Sequence, residues 1–303
     1  MIKIIRYQVS IAIILFLMPC VGIAQQKNGP LLTRVIKAIA DSSGAKIGVS
    51  VKGLDAPTDF GYNNYLHFPM QSTFKFPLAV AILHGVDQGK LRLNQQVHIR
   101  KEELNAQTWS PLVKKYPNQD INISLSELLM YSVSKSDNNA CDVLFHLAGG
   151  TGVVNSYVHS IGVKNISIKA TEEGMRKAWD VQYTNWSTPD AMAQLLELFF
   201  RHKLLSKSGN DFLMKLMTES ENSPNRIKGN LPANTVVAHK TGTSDTNKQG
   251  ITAATNDVGI VTLPNGKHYA IAVFVSDYKG GTVKGERIIA AISKLVWDWQ
   301  TGK

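Results

Sequence analysis

Three short groups of hydroxyl, amine and amide side chains carry the chemistry this chain could perform. The first is Ser72-Thr73-Phe74-Lys75, ahead of an apolar helical run from Leu78 to Leu83. A serine hydroxyl is a poor nucleophile at neutral pH and needs a neighbouring base. Residues three apart share a helix face, with Cβ atoms roughly 5–6 Å apart, so Lys75 can be that base. If Ser72 opens the helix, backbone N–H groups there also favour a developing oxyanion. The second group is Ser136-Asp137-Asn138, in which the serine can relay a proton and Asn138 can bond an amide carbonyl. The third is Lys240-Thr241-Gly242-Thr243, at the end of an apolar strand. A lysine and hydroxyls at a sheet edge can bind a carboxylate, an edge strand can pair with an extended substrate, and Gly242 leaves room for close backbone approach. Taken singly, each group has a plainer reading: two helix caps, and a strand entering a turn.

The elements that must position these groups follow from periodicity. Pro30–Ala40 predicts a helix with Leu31, Leu32, Val35, Ile36 and Ile39 on one stripe, and Lys46–Leu54 a strand with Ile47, Val49 and Val51 on one face. A second strand is expected near Asp59–Tyr62. From Ser72 to about Thr218 the pattern is mainly helical, with a capping-box start at Ser124 and Glu127 and glycine stops at Gly149-Gly150 and Gly162. Thr171–Asn185 has no clean period and reads as a long loop. Strands return at Thr235–Thr243, Ala253–Leu263 and His268–Asp277, the last two joined by the turn Pro264-Asn265-Gly266-Lys267. Gly285–Gln300 closes the chain as an amphipathic helix. The expected fold is therefore α+β. One antiparallel five-stranded sheet comes from both chain ends (about 25–68 and 222–303), is covered by the terminal helices, and carries an inserted all-helical part (about 69–221). A cleft between the two parts is the natural active site.

Composition narrows the class of function. Lys3 and Arg6 precede the apolar run Ile11–Met18 and the small residues up to Ala24, which together predict an export signal over residues 1–24 and a periplasmic mature chain over 25–303. The apolar run is too short to span a membrane. Cys20 raises lipid anchoring as an alternative, for which Pro19 is a poor preceding residue. The net charge of +10 is scattered, and no aromatic-plus-basic nucleic-acid motif occurs. The 8 histidines show no ligand spacing, so neither metal nor cofactor is expected. Cys141 is left without a disulfide partner and reads as a small buried apolar residue. A monomer is expected.

Together, in this order and spacing, the three groups resemble those of the class A serine β-lactamases, over essentially the whole mature length. The resemblance implies that Ser72 attacks the lactam, Lys75 helps activate it, and Ser136 passes a proton to the lactam nitrogen. It implies that Asn138 holds the substrate's side-chain amide, and that Lys240, Thr241 and Thr243 bind its carboxylate. Backbone N–H groups of Ser72 and Thr243 would form the oxyanion hole. The family's glutamate, the base for deacylation, falls 34 residues after Asn138, at Glu172.

Several positions depart from the common pattern. The arginine and aspartate that usually pair across the loop are Ala170 and Asn185 here, and an asparagine expected four residues after the glutamate is Arg176. The hairpin through Asp245–Gly250 is longer than usual. These features are similar to the PER-type, extended-spectrum subgroup, which implies a widened cavity for bulky cephalosporins, Trp109 at its mouth, and Arg226 as an extra carboxylate-binding residue. Arg176 is expected to point away from Glu172. Two rival readings share the motifs: a penicillin-binding D-Ala-D-Ala peptidase, which normally lacks the glutamate, and a β-lactam sensor domain, which usually follows transmembrane helices.

Overall fold

The computed structural model describes residues 21–220 and 222–303, with side chains from residue 29. The expected leader and Cys20 lie outside the described residues, apart from the backbone of 21–24. The first element, α1 (Val21–Ser43), carries Pro30 inside it instead of starting there. Proline favours a first helical turn because it lacks an N–H, but an internal proline removes only one bond of the ladder and bends it. Next come β1 (Lys46–Gly53), β2 (Phe60–Tyr62) and β3 (Phe68–Pro69). A 3₁₀ turn, Gln71–Phe74, leads into α2 (Lys75–Asp87). Ser72 therefore sits in a tight turn ahead of the α-helix, not at its first position. After β4 (Gln96–Ile99) and α3 (Pro111–Lys115), the chain forms β5 (Ile121–Ser124), α4 (Leu125–Val133), α5 (Asn138–Leu147) and α6 (Thr151–Ser160). It continues through β6 (Ile166–Ser167), α7 (Glu172–Arg176), a 3₁₀ turn Trp179–Thr184, β7 (Trp186–Ser187), α8 (Pro189–Phe200) and α9 (Lys207–Thr218). It ends with β8 (Val237–Thr243), β9 (Ile251–Thr262), β10 (His268–Lys279) and α10 (Gly281–Thr301).

The main sheet is five-stranded and antiparallel throughout, as the sequence predicts, and its strands run in the order β2-β1-β10-β9-β8. Its two faces bury different cores. Tyr269, Ile271, Val273 and Val275 of β10 join Ile47, Val49 and Val51 of β1 against α1 and α10, while Ala270, Ala272 and Phe274 face the helical core. The period-two alternation of one strand thus divides two hydrophobic layers.

The insertion is not all helical. β3, β6 and β7 form a small three-stranded sheet, and β4 pairs with β5. Strands of two to four residues are too short to show a period, so only their partners define them. The segment expected as a loop, Thr171–Asn185, holds α7 and the second 3₁₀ turn. Thr171 caps α7 by accepting from the Gly174 N–H. Its other caps come from Asp142, 30 residues away, and no local pattern shows them.

One buried side chain fastens the turn that carries Ser72 to the sheet. Asn256 of β9 donates through Nδ2 to Pro69 O and Met70 O, and its Oδ1 accepts from the Val275 N–H. An alanine there would take these buried bonds from Pro69 O and the Val275 N–H, while Met70 O would keep its bonds from Thr73. Asn256→Ala is expected to lose roughly 2–4 kcal/mol in urea unfolding at unchanged m-value. A loss below about 0.5 kcal/mol would show that the turn does not depend on this residue.

Candidate active site

The structure brings the three groups and Glu172 to one place. Lys75, at the start of α2, is fully buried, and its Nζ has four oxygen neighbours. These are Ser72 Oγ at 3.0 Å, Ser136 O at 2.8 Å, Asn138 Oδ1 at 2.7 Å and Glu172 Oε1 at 2.8 Å. Three N–H bonds cannot serve four oxygens at full strength, so one partner is always shared. Ser72 Oγ also lies 3.1 Å from Glu172 Oε1, to which it donates. The hydroxyl proton of Ser72 thus has an amine and a carboxylate within reach, the arrangement that activates a serine.

Lys240 of β8 is buried too, with Nζ donating to Ser136 Oγ at 2.8 Å and to Thr241 O at 2.9 Å. Burial, reinforced by the Lys75 charge, pushes its pKa well below the ordinary lysine value. An anionic substrate would find there a cation held short of partners. Ser136 joins the two lysines, its carbonyl on Lys75 and its hydroxyl on Lys240, with a left-handed φ of +56°. That conformation is sparsely populated for a serine and persists where its surroundings over-determine it. The next residue, Asp137, does this. Its buried carboxylate accepts from Ser110 Oγ, Leu112 N and Ala140 N, and so caps α5 as it fixes the turn. Burial raises the pKa of Asp137, and those donors oppose the rise.

Asn138 lines the cavity, but its amide is already engaged. Oδ1 takes the Lys75 bond, and Nδ2 donates to Thr108 Oγ1 at 2.7 Å. Gly242 differs from expectation. A Cβ there would lie 2.5 Å from Met70 O and 3.1 Å from Thr73 N, so the space is filled by the nucleophile turn and not left for substrate. The glycine lets β8 approach Ser72. Arg226 is neither on the surface nor in the cavity lining. It is 1% exposed, with Nη1 on Gly242 O and Asn256 O and Nη2 on Thr243 Oγ1 at 2.7 Å. Its Nε pairs with Glu286 at 3.3 Å, so any action on a carboxylate passes through Thr243. Thr241, Thr243, Ser136, Asn138 and Glu172 line the cavity in front of Ser72, about 450 Å³ in volume. Trp109, 53% exposed, stands at its mouth, with Nε1 donating to Lys135 O.

Beyond Glu172 the space continues into a chamber of about 400 Å³, bounded by α7, the Trp179–Thr184 turn and Thr243-Ser244-Asp245. Glu172 is 8% exposed at the first turn of α7, and Glu173 is exposed. Arg176 is exposed and forms no ion pair with Glu172, but it lines the chamber beside that residue instead of pointing out of the site. In place of the missing arginine–aspartate pair, Asn185 Oδ1 accepts from Lys169 N and Ala170 N, and Nδ2 donates to Ala170 O.

Three supporting residues escaped the sequence reading. Asp142 accepts from the backbone N–H groups of Glu172 and Glu173 at 2.7 and 2.9 Å. Gln71, with φ +49°, donates through Nε2 to Gln182 Oε1 at 2.6 Å. Only the period of α5, which turns Asp142 toward the same side as Asn138, hinted at any of them. Among the described residues, no cluster of three or more His, Cys, Asp or Glu could hold a metal, and no helix is long and apolar enough to cross a membrane.

Comparison with known proteins agrees with this geometry. A model of the "Beta-lactamase enzyme family" matches residues 31–300. The chain is 42% identical to beta-lactamase VEB-1 of Pseudomonas aeruginosa over 303 residues, covering 99% of this chain and 100% of that one. It is 42% identical to the extended-spectrum beta-lactamase PER-1 of the same organism over 276 residues, covering 91% and 89%. The crystal structure of TLA-3 extended-spectrum beta-lactamase superposes with a TM-score of 0.88 at 51% identity, covering 90% of this chain and 99% of that one.

Asp142 yields a pH prediction. Burial raises its pKa from 3.8 to about 6, against the two backbone donors that lower it. Between those values the folded protein keeps a proton that the unfolded chain has lost, so the stability this group contributes falls as pH rises through that window. Asp142→Asn removes the titration. Its melting temperature relative to wild type is expected to improve by roughly 3–6 °C between about pH 4.5 and pH 7.5. A difference independent of pH would refute the assignment.

Proposed function

The chain belongs to the beta-lactamase enzyme family, in its class A branch, and is a β-lactam hydrolase conferring antibiotic resistance; we propose that it works through a Ser72 acyl-enzyme cleared by water that Glu172 activates. One observation carries this reading: Ser72 Oγ lies within 3.1 Å of both the Lys75 amine and the Glu172 carboxylate. In acylation, Ser72 Oγ attacks the lactam carbonyl carbon and its proton leaves to the Glu172 carboxylate, to which the hydroxyl already donates, or to Lys75 once that ammonium has passed a proton to Glu172. The backbone N–H groups of Ser72 and Thr243 serve the oxyanion, where one donor is typically worth about 3–4 kcal/mol. The C–N bond then breaks, and the ring nitrogen takes a proton through Ser136, which Lys240 holds by its hydroxyl. In deacylation, Glu172 takes a proton from water as the oxygen attacks the ester, and Ser72 leaves with its hydroxyl restored.

Recognition divides between the two walls. Lys240, Thr241 and Thr243 bind the substrate carboxylate, and Arg226 holds the Thr243 hydroxyl in place from behind the strand. Asn138 meets the side-chain amide by exchanging its bond to Thr108. The chamber beside Glu172 accepts the acyl side chain. Its volume, together with the names of PER-1 and TLA-3, supports an extended-spectrum preference that includes bulky cephalosporins. The basic and apolar N-terminal sequence supports export to the periplasm.

Intact-mass measurement during turnover of a cephalosporin tests the mechanism. Wild type should show a transient adduct that clears as product accumulates. Glu172→Gln should slow clearance by roughly 10²–10⁴-fold and hold the adduct, and Ser72→Ala should form none. An adduct that clears at the wild-type rate in Glu172→Gln would remove Glu172 from the mechanism.

A further inference from the structure

The Trp179–Thr184 turn forms one wall of the chamber, and it is held from two sides. On the inner side Gln182 bonds Gln71, the neighbour of Ser72. On the outer side Tyr183 Oη donates to Asp277 Oδ1 at 2.6 Å, joining parts of the chain 94 residues apart. Asp277 lies in β10, next to the base of the hairpin that forms the facing wall. Its neighbours Ser276 and Tyr278 pair with Ala254 and Thr252 of β9, and the hairpin between β8 and β9 begins just beyond. Asp277 itself has φ +55°, a conformation that aspartate and asparagine tolerate better than other side-chain-bearing residues. Its second oxygen accepts from Ser276 Oγ at 3.3 Å, so the carboxylate is oriented as well as accepting. Burial and the accepting carboxylate push the Tyr183 phenol above its ordinary pKa, which keeps it a donor throughout the working range.

We propose that the Tyr183–Asp277 hydrogen bond is a clasp between the two chamber walls, and that Tyr183 and Asp277 are positioning residues that determine how tightly bulky acyl side chains are held. Neither residue lines the cavity in front of Ser72, so the pair acts through Trp179 and Gln182, which do line the chamber. The chemistry at Ser72 depends on Lys75 and Glu172, which have their own anchors on α5. Opening the clasp therefore loosens the binding of substrates that fill the chamber and leaves the rate of the chemical steps alone. This inference rests on the assignment of the chamber to the acyl side chain.

Steady-state kinetics on two substrates tests it: benzylpenicillin, whose side chain is compact, and a cephalosporin with a bulky oxyimino side chain. For Tyr183→Phe and for Asp277→Ala, KM for the cephalosporin should rise about three- to tenfold with kcat within about twofold, while both constants for benzylpenicillin stay within about twofold. Asp277→Asn keeps an acceptor and suits the left-handed backbone, so it should restore wild-type KM. The double variant Tyr183→Phe/Asp277→Ala should be no worse than either single one. Equal losses on both substrates would mean a general structural role and overturn the clasp. So would cephalosporin constants unchanged in Tyr183→Phe. If the wild type does not turn over the oxyimino cephalosporin at all, the chamber assignment fails and takes the clasp with it.

Discussion

Two fully buried lysines lie behind the cavity at Ser72, joined through Ser136, and the rest of the site is built around the cost of putting them there. An ammonium taken out of water must be given oxygens in return, and it destabilises the fold if any partner is lost. Lys75 receives four oxygens, from the nucleophile turn, the Ser136 carbonyl, α5 and α7. Lys240 receives only two, a hydroxyl and a carbonyl, and burial, with the Lys75 charge, lowers its pKa. The asymmetry matches two kinds of work. In the proposed mechanism the richly partnered lysine serves the reaction, and the poorly partnered one keeps binding capacity for an anion.

Since each oxygen comes from a different element, the site can only be as accurate as the joints between elements. These joints are buried or half-buried polar side chains that bond backbone groups. Asp137 sets the Ser136 turn, Asp142 sets the start of α7, and Asn256 ties the turn at Ser72 to the sheet. Backbone acceptors and donors are a sensible target, because they move only if the element moves. The strained φ at Gln71 and Ser136, each beside a reacting group, persists under the same fixings. Gly242 completes the arrangement by letting β8 come within contact of the Ser72 turn.

This division explains which parts were readable from the sequence. The long alternating strands and amphipathic helices carry their own period, so the sheet, its antiparallel order and the terminal helices follow from pattern. The reacting residues form short motifs, and their spacing identified them. The joints carry no such mark. Asp142 looks like one more polar residue of α5, and its role appears only when α7 is laid against it. Gln71 and Gln182 are 111 residues apart and ordinary in composition. Arg226 and Gly242 were expected to face a substrate, but both make their contacts with the protein behind the cavity. A sequence does not show whether a side chain, or the gap left by one, faces the ligand or the protein behind it.

The loop bearing Glu172 shows what a lost ion pair leaves behind. An arginine–aspartate pair would close the loop with two charges across its base. Here Asn185 closes it with bonds to the backbone of Lys169 and Ala170, and its partner position is an alanine too small to fill the same space. An amide gripping backbone fixes the base of the loop without drawing its outer part inward. The outer part then forms α7 and the Trp179–Thr184 turn, and it needs its own attachments to Asp142, Gln71 and Asp277. The chamber occupies the space between those attachments and the base. Several separate fastenings thus hold its walls, and the one that fixes the Glu172 backbone, Asp142, is distinct from those that hold the Trp179–Thr184 turn.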